Sequence, residues 1–234
     1  MFKYTYETRY GDFRDFDTIK AGSVLDFIQD ISTKNSQERG YGINELRAME
    51  KAWFLKGMNV HFEKDVRTYI PVDVYTAVKK PKGATSERGC ILKQNGEVVA
   101  KSIATWFLFD TLKLKPVRIP EEMLESYETY DFDDEFFTYR KPEIFCDIEP
   151  LYTIRVANKD IDTNKHLNNQ RGADLLMDAL PYDFKFNNIS IVYKKPSYLN
   201  DELEVCVKEI KKGYYVHMQT KDKEVCVAGN FEII

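Results

Sequence analysis

The stretch Lys159-Asp160-Ile161-Asp162-Thr163-Asn164-Lys165-His166-Leu167-Asn168-Asn169 decides how the rest of the chain is interpreted. It places an aspartate, an asparagine and a histidine at alternate positions and has no apolar periodicity. Clusters of Asp, Asn and Thr are typical of turns and helix caps, and an apolar-periodic segment, 170–180, follows at once. The stretch therefore predicts a strand-to-helix loop with polar side chains at a helix N-terminus. Backbone N–H groups there suit a developing oxyanion, while simple helix capping explains the same composition.

The composition is that of a globular, β-rich protein. The chain has 234 residues, of which 43% are hydrophobic and 14% aromatic, and its net charge of −4 argues against a nucleic-acid binder. Its four cysteines are widely spaced and its three histidines form no zinc-ligand spacing, so we expect reduced thiols, no metal and no cofactor. There is no signal-peptide pattern and no apolar run that could cross a bilayer. We expect a cytoplasmic protein without membrane insertion, and leave its assembly open, a homodimer being one option.

Strand, helix and then a run of strands are predicted twice along the chain. In the first half the helix covers 21–38, and the strands cover 3–10, 53–62, 69–79, 87–94 and 98–112, with Asn95-Gly96 as the strongest hairpin signal. In the second half the helix covers 170–180, and the strands cover 151–157, 189–194, 202–210, 214–221 and 224–232. The proline-punctuated, acidic segment between the halves reads as a linker. The predicted domains are 1–118, a linker over 119–149, and 150–234.

A residue comparison of the two halves supports an internal repeat. Phe16-Asp17-Thr18-Ile19-Lys20-Ala21 aligns with Ile161-Asp162-Thr163-Asn164-Lys165-His166, and after a three-residue gap Phe27-Ile28-Gln29-Asp30 aligns with Leu175-Leu176-Met177-Asp178. In this alignment Ile19 and Ala21 stand where Asn164 and His166 do. Only the second copy would then hold residues that handle protons.

Three motifs resemble the acyl-acyl-carrier-protein (acyl-ACP) thioesterases of plants and bacteria. Asp160-Ile161-Asp162-Thr163-Asn164-Lys165-His166-Leu167-Asn168-Asn169 is similar to the family's Asp-x-Asp-x-Asn-x-His-x-Asn-Asn signature. Trp106-Phe107-Leu108-Phe109-Asp110 with Ile119-Pro120-Glu121-Glu122, and Ile191-Val192-Tyr193-Lys194-Lys195, resemble two further family segments. The resemblance implies an α+β fold, a tandem (double) hot-dog in which two long helices are each wrapped by an antiparallel sheet. It also implies an acyl-ACP hydrolase whose partner is an acyl carrier protein with a phosphopantetheine-linked fatty acyl chain.

The same resemblance assigns Asp162, Asn164 and His166 as the catalytic residues. The plant enzymes carry a Glu-Cys pair where this chain has Pro196 and Ser197, so the glutamate of their catalytic network is absent. Asp178, which is acidic in the plant sequences too, is a candidate substitute, although a solvated or capping aspartate explains it equally well. Histidine is the natural base for the attacking water, with Asp162 orienting or charge-balancing it and Asn164 holding the water or the carbonyl. We expect His61 and His217 to be structural.

Further candidates concern substrate binding. The expected oxyanion donors are the backbone N–H groups of 168–170, which include Asn168 and Asn169. By resemblance the first half lines the acyl pocket, and its candidates are Val24, Phe27, Ile28 and Trp53. Basic patches for an acidic carrier protein are 79–82, Lys113 and Lys115 with Arg118, Lys194-Lys195, and Lys211-Lys212. Of these we favour Lys194 and Lys195.

Three other functions remain open at the level of sequence. The first is an acyl-CoA thioesterase on the same fold. The second is a non-catalytic acyl-binding module, which the missing glutamate favours and the intact triplet of Asp162, Asn164 and His166 argues against. A hot-dog dehydratase is a third class, but its arrangement of histidine and acid is not what this loop resembles. No GxSxG motif supports a serine hydrolase, and no cysteine lies near the focal stretch.

Overall fold

The chain forms two compact units. The computed structural model describes the backbone of residues 1–234 and all side chains except those of 80–82. One unit comprises Met1–Lys56 and Val60–Tyr139, and the other comprises Gly57–Asn59 and Arg140–Ile234. Most of the basic patch predicted at 79–82 therefore lies outside the described side chains.

The first unit holds one long helix and an antiparallel sheet. Its elements are β1 (Phe2–Tyr6), α1 (Ala21–Glu38), α2 (Ile43–Ala48), β2 (Lys51–Phe62), β3 (Val72–Lys82), β4 (Thr85–Gln94), β5 (Glu97–Asp110), β6 (Lys115–Pro116) and α3 (Glu121–Ser126). The strands follow the order β1-β3-β4-β5-β2, with β6 paired to β5. Helix α1 packs on β3 and β1.

The second unit repeats this plan. Its elements are β7 (Pro150–Arg155), α4 (Asn169–Met177), β8 (Asn188–Tyr193), β9 (Glu202–Ile210), β10 (Gly213–Gln219) and β11 (Val225–Glu232). The strands follow the order β7-β9-β10-β11-β8, and α4 packs on β10 and β11. Each strand of the second unit therefore has a counterpart at the same place in the first. The predicted α+β tandem hot-dog is confirmed.

The two helices differ in how much apolar surface they bury. Helix α1 spans 18 residues, the range that the sequence predicts, and its buried residues recur at helical spacing from Val24 to Ile31. Helix α4 spans nine residues and buries Gly172, Ala173 and Leu176. It ends earlier than predicted, because the N–H groups of Ala179 and Leu180 make tighter three-residue bonds ahead of Pro181.

Residues 121–137 carry packed apolar side chains of the first unit. Met123 and Phe137 are buried, and the Phe132 ring lies directly over Gly89 of β4. A Cβ at Gly89 would collide with that ring, so glycine is what lets the aromatic side chain approach the sheet. The limits 1–118, 119–149 and 150–234 stay predictions.

Candidate active site

The focal stretch forms a tight loop between β7 and α4, and residues 157–169 are called the site loop below. A 3₁₀ turn, Asn158–Asp160, opens it, and Ile161 and Leu167 then pair as an isolated antiparallel bridge. The N–H of Asp162 donates to the His166 carbonyl at 2.9 Å, and Lys165 adopts a left-handed φ of 64°. Residues 162–166 are thereby closed into a short hairpin-like turn.

The Asp162 carboxylate fixes the backbone of this turn. Its Oδ1 accepts the N–H of Asn164 at 2.8 Å and the N–H of His166 at 3.2 Å. An aspartate that binds backbone N–H groups two and four residues ahead is a common turn stabiliser. In this structure Asp162 therefore acts on the His166 main chain, and so sets where the imidazole is presented.

His166 and Asn164 are both accessible on the loop. His166 is half-buried, and its ring lies edge-on to the Tyr198 ring at a centroid distance of 5.0 Å. Asn164 is exposed. The Leu167 N–H donates to the Ser197 carbonyl at 2.7 Å, which fastens the loop to the segment after β8. The three predicted catalytic residues thus lie within one turn of five residues.

Asn168 is the N-cap of α4. Its Oδ1 accepts the N–H groups of Gln170 at 2.8 Å and Arg171 at 3.3 Å, while its own N–H donates to the Asp160 carbonyl. Two of the three N–H groups predicted as oxyanion donors, those of 168 and 170, are therefore used within the loop. The N–H of Asn169 takes part in neither interaction, and its carbonyl accepts the Tyr193 hydroxyl at 2.9 Å.

An ion-pair network of Asp160, Arg171 and Asp174, which the sequence does not predict, connects the site loop to α4. Buried Asp160 accepts the Ala157 N–H at 3.0 Å and the Nε and Nη2 atoms of Arg171, each at 3.2 Å. Arg171 Nη1 also bonds Asp174 at 2.7 Å, and Gln170 bonds the same carboxylate. Burial raises the pKa of Asp174, and the charge of Arg171 opposes that shift. The i,i+3 spacing of Arg171 and Asp174 was the available sequence signal.

The equivalent loop of the first unit has the same backbone pattern with different side chains. Phe13 pairs with Ile19 as Ile161 pairs with Leu167. The Arg14 N–H donates to the Thr18 carbonyl at 2.9 Å, matching the bond from Asp162 to His166. The Lys20 N–H donates to the Asp12 carbonyl at 2.8 Å, matching the bond from Asn168 to Asp160.

These bonds correct the alignment of the repeat. The loops and the helices of the two units align in one register without a gap. The alignment based on sequence shifts the loop of the first unit by three residues from this register. Arg14, Phe16 and Thr18, rather than Asp17, Ile19 and Ala21, correspond to Asp162, Asn164 and His166. The contrast itself remains, since the first copy has neither asparagine nor histidine at these positions.

The remaining predicted residues lie in several places. Lys194 and Lys195 are exposed after β8, and Lys195 forms an ion pair with Glu224. Pro196 is exposed and Ser197 is buried. Asp178 is exposed at the C-cap of α4, at the opposite end of that helix from the site loop.

The predicted pocket residues all belong to the first unit. Val24, Phe27 and Ile28 are buried on α1. Trp53 is partly buried and packs against a cluster comprising Leu46, Val78, Leu108, Ile119, Met123 and Tyr127. Each is placed where it contributes to the packing of that unit, and their role in substrate binding stays a prediction.

The other two histidines are buried. His61 is 8% exposed and His217 is 1% exposed, and burial lowers the pKa of both. His217 Nε2 lies 3.0 Å from Gln219 Oε1, and the His61 ring stacks on Phe136. Within the described residues, no cluster of three or more potential metal ligands is found, and no helix is long and apolar enough to span a membrane. All four cysteines are free thiols.

Solved structures share this architecture over its whole length. An acyl-ACP thioesterase from Bacteroides thetaiotaomicron matches with a TM-score of 0.88 and 18% identity, covering 98% of this chain and 96% of that chain. A 12:0-ACP thioesterase from Umbellularia californica matches with a TM-score of 0.85 and 15% identity, covering 99% and 96%. A hypothetical protein from Aquifex aeolicus, 16% identical with a TM-score of 0.50, is covered completely by 55% of this chain. At these identities the first two matches show the double hot-dog fold, and the third shares the fold of about half of the chain.

Family models extend the match to the sequence. The acyl-ACP thioesterase N-terminal domain matches residues 1–127, and the acyl-ACP thioesterase C-terminal domain matches residues 147–231. No curated protein matches the sequence significantly. The two family models together cover most of the chain, in the order in which the two units occur. The chain therefore belongs to the acyl-ACP thioesterase family.

Proposed function

We propose that this protein hydrolyses the thioester of a fatty acyl-ACP to a free fatty acid and holo-ACP, at the site loop of the second unit. The observation that carries the proposal is the contrast between the two copies. Both copies build the same loop, yet only the second places an accessible histidine and asparagine on it. A loop needed only to start a helix would not require those residues, as the first copy demonstrates.

In the proposed reaction His166 acts as the general base. It takes a proton from water as the water oxygen attacks the thioester carbonyl, and the resulting oxyanion needs a hydrogen-bond donor. The side-chain amide of Asn164 and the N–H of Asn169 are the donors that this loop offers. When the carbon–sulfur bond breaks, the thiolate leaves readily because thiols have a pKa of about 8.5, and the imidazolium returns the proton. Asp162 contributes by holding the main chain of Asn164 and His166.

Pro196 occupies the position of the family glutamate, so this chain must perform the reaction without a carboxylate there. The site loop holds two carboxylates. Asp160 is buried and paired with Arg171, whereas Asp162 lies in the same turn as His166. We infer that His166 supplies the proton transfer and that Asp162 and Asn164 assist, which makes the imidazole the most sensitive point of the site.

The test compares His166→Ala with Thr18→Ala, which alters the corresponding position of the first copy. Fatty-acid release from acyl-ACP should be measured by mass spectrometry, because the exposed Cys146 thiol would react with a thiol reagent. We expect His166→Ala to lower kcat by about 10²–10⁴-fold, the usual contribution of a general base. Thr18→Ala should keep the wild-type rate.

A His166→Ala rate within threefold of wild type would refute the assignment of the base. Acyl-CoA of the same chain length should be assayed alongside acyl-ACP. A higher kcat/KM for acyl-CoA than for acyl-ACP would identify acyl-CoA as the substrate. If no thioester is hydrolysed, the protein is instead an acyl-binding module.

A further inference from the structure

Three exposed lysines lie in the segments that form and border the site loop. Lys159 immediately precedes Asp160, and Lys165 stands between Asn164 and His166. Lys194 follows β8, three residues before Ser197, whose carbonyl accepts the Leu167 N–H. Within the part of the chain that the structure describes, the ammonium group of none of these three lysines forms an ion pair or a hydrogen bond.

The lysine beside them is neutralised. Lys195 forms an ion pair with Glu224 and therefore adds little net charge to this edge. Lys194 and Lys195 are neighbours in the sequence, but only Lys195 is ion-paired. Among the described side chains of this region, the unpaired cations are Lys159, Lys165 and Lys194, which we call the lysine edge. They outnumber the carboxylate of the site loop that has no cation partner, Asp162, since Asp160 is paired with Arg171.

The first copy has no lysine or arginine at the three corresponding positions. By the loop register Gly11 and Asp17 correspond to Lys159 and Lys165. Beyond β2 the N–H of Glu63 donates to the Val99 carbonyl, as the N–H of Lys194 donates to that of Cys226, so Glu63 corresponds to Lys194. Asp17 pairs with Arg67 at 2.6 Å and Glu63 pairs with Lys101 at 2.9 Å. At these three positions the first copy thus has a glycine and two ion-paired acidic residues, and the second copy has lysines without ion pairs.

Unpaired lysines around a site create a local positive potential, even in a protein whose net charge is −4. Such a field attracts an acidic partner and raises its association rate. We propose that the lysine edge is the docking surface for the acidic face of the acyl carrier protein, which delivers its thioester to the site loop. This inference rests on the proposed function, and it specifies which surface of this chain meets the partner.

Binding of fluorescently labelled holo-ACP, measured by anisotropy, tests the inference without any catalytic step. Lys159→Glu and Lys194→Glu should each weaken binding about 3–10-fold at low ionic strength, and the loss should shrink at ~0.5 M salt, where screening shortens the reach of charge. The matched control is Lys211→Glu. Lys211 is exposed beyond the far end of β9, roughly 30 Å along the strand from the end that adjoins the site loop.

A fourth variant changes binding in the opposite direction. Glu224→Gln removes the partner of Lys195 and leaves that lysine's charge unneutralised, so it should tighten binding about 2–5-fold at low ionic strength. A general loss of folding cannot produce a gain. Tighter binding of this variant, together with weaker binding of the two lysine variants, supports the docking surface.

The proposal is overturned if Lys159→Glu and Lys194→Glu bind holo-ACP as tightly as Lys211→Glu, or if Glu224→Gln does not tighten binding. It is also overturned if Lys159→Glu and Lys194→Glu lower kcat/KM equally for acyl-ACP and acyl-CoA. The lysines would then recognise phosphate groups that coenzyme A also carries, rather than the carrier protein. Hydrolysis of an acyl-N-acetylcysteamine, which has no carrier, separates the two proposals. If the wild-type protein hydrolyses neither this substrate nor acyl-ACP, the proposed function is refuted, while the anisotropy measurement still tests the docking surface.

Discussion

At the scale of single residues, the acidic side chains of the site loop serve mainly to hold its backbone. Asp160 and its counterpart Asp12 each accept the N–H of the residue three before, and each lends its carbonyl to the N–H of a helix cap. They differ in their partner on the helix. Asp12 receives the Ser23 hydroxyl at 3.1 Å, whereas Asp160 receives the guanidinium of Arg171 at the corresponding position. Asp12 also forms an ion pair with Arg9 within its own turn, at 3.2 Å. The copy with the histidine therefore differs in that its ion pair joins the loop to the helix.

Exchanging Arg171 tests the strength of this ion pair. Arg171→Met leaves the buried Asp160 carboxylate without its cation, which we expect to cost about 2 kcal/mol, below the usual range for a fully buried pair because Arg171 is 31% exposed. Arg171→Ser introduces the residue that the first unit has at this position, Ser23, and keeps one hydroxyl donor for Asp160, so it should cost about 1 kcal/mol. Urea denaturation gives both values. A methionine variant as stable as wild type would show that the ion pair does not stabilise the fold.

At the scale of elements, local sequence patterns predict the limits of a helix or strand where one face of it is buried at regular spacing. The limits of α1 follow from its apolar stripe, and the Asn95-Gly96 hairpin follows from two residues that both adopt positive φ, at 50° and 83°. Helix α4 was predicted three residues too long because the effect of Pro181 reaches back over the preceding turn. The Arg171 network was not predicted, since side-chain contacts across a loop leave only a weak local pattern.

The short helix α4 should depend on its cap more than α1 does. Helix α1 buries a long apolar stripe and has no side-chain cap at Lys20, whereas α4 buries three residues and is capped by Asn168. We expect Asn168→Ala to lower the free energy of unfolding by about 1 kcal/mol and Asn168→Asp to preserve it, because Asp caps equally well. Thermal denaturation checks the stabilities. If Asn168→Asp also keeps full activity, the amide nitrogen of Asn168 is not needed for substrate binding.

At the scale of the whole molecule, two copies of one fold carry different side chains at the same loop positions. The duplication was visible in the sequence as a repeated order of elements, but its register was not. The Asp-Thr and Lys matches at 17–20 favoured an alignment that the paired backbone bonds of the two loops exclude. Sequence identity between the copies is therefore a poor guide to equivalence here. The hydrogen bonds that close each loop identify the corresponding positions, and they show that only the second copy has an asparagine and a histidine there.

Each unit also contains one buried histidine, and this predicts how stability depends on pH. His61 lies in the first unit and His217 in the second, and among the described atoms the Nδ1 of each lacks a hydrogen-bond partner. Because burial lowers both pKa values, these side chains stay neutral in the folded protein at pH values where the unfolded chain, with a histidine pKa near ~6.5, already binds a proton. The contribution of these two histidines to the free energy of unfolding is fully present above about pH 6.5. It is lost as the pH falls below that value, by at most about 1.4 kcal/mol per pH unit for each proton.

Urea denaturation between pH 5 and 8 measures this dependence. We expect the urea concentration at the unfolding midpoint of the wild-type protein to decrease as the pH is lowered below 6.5. In His217→Gln this decrease should be smaller, because glutamine cannot take up a proton. His166→Gln is the matched control, since that histidine is only half-buried on the site loop. A His217→Gln curve as steep as that of wild type would place the pH dependence in other groups, of which the carboxylate of Asp110, with a pKa lowered to about 2, acts only in a more acidic range.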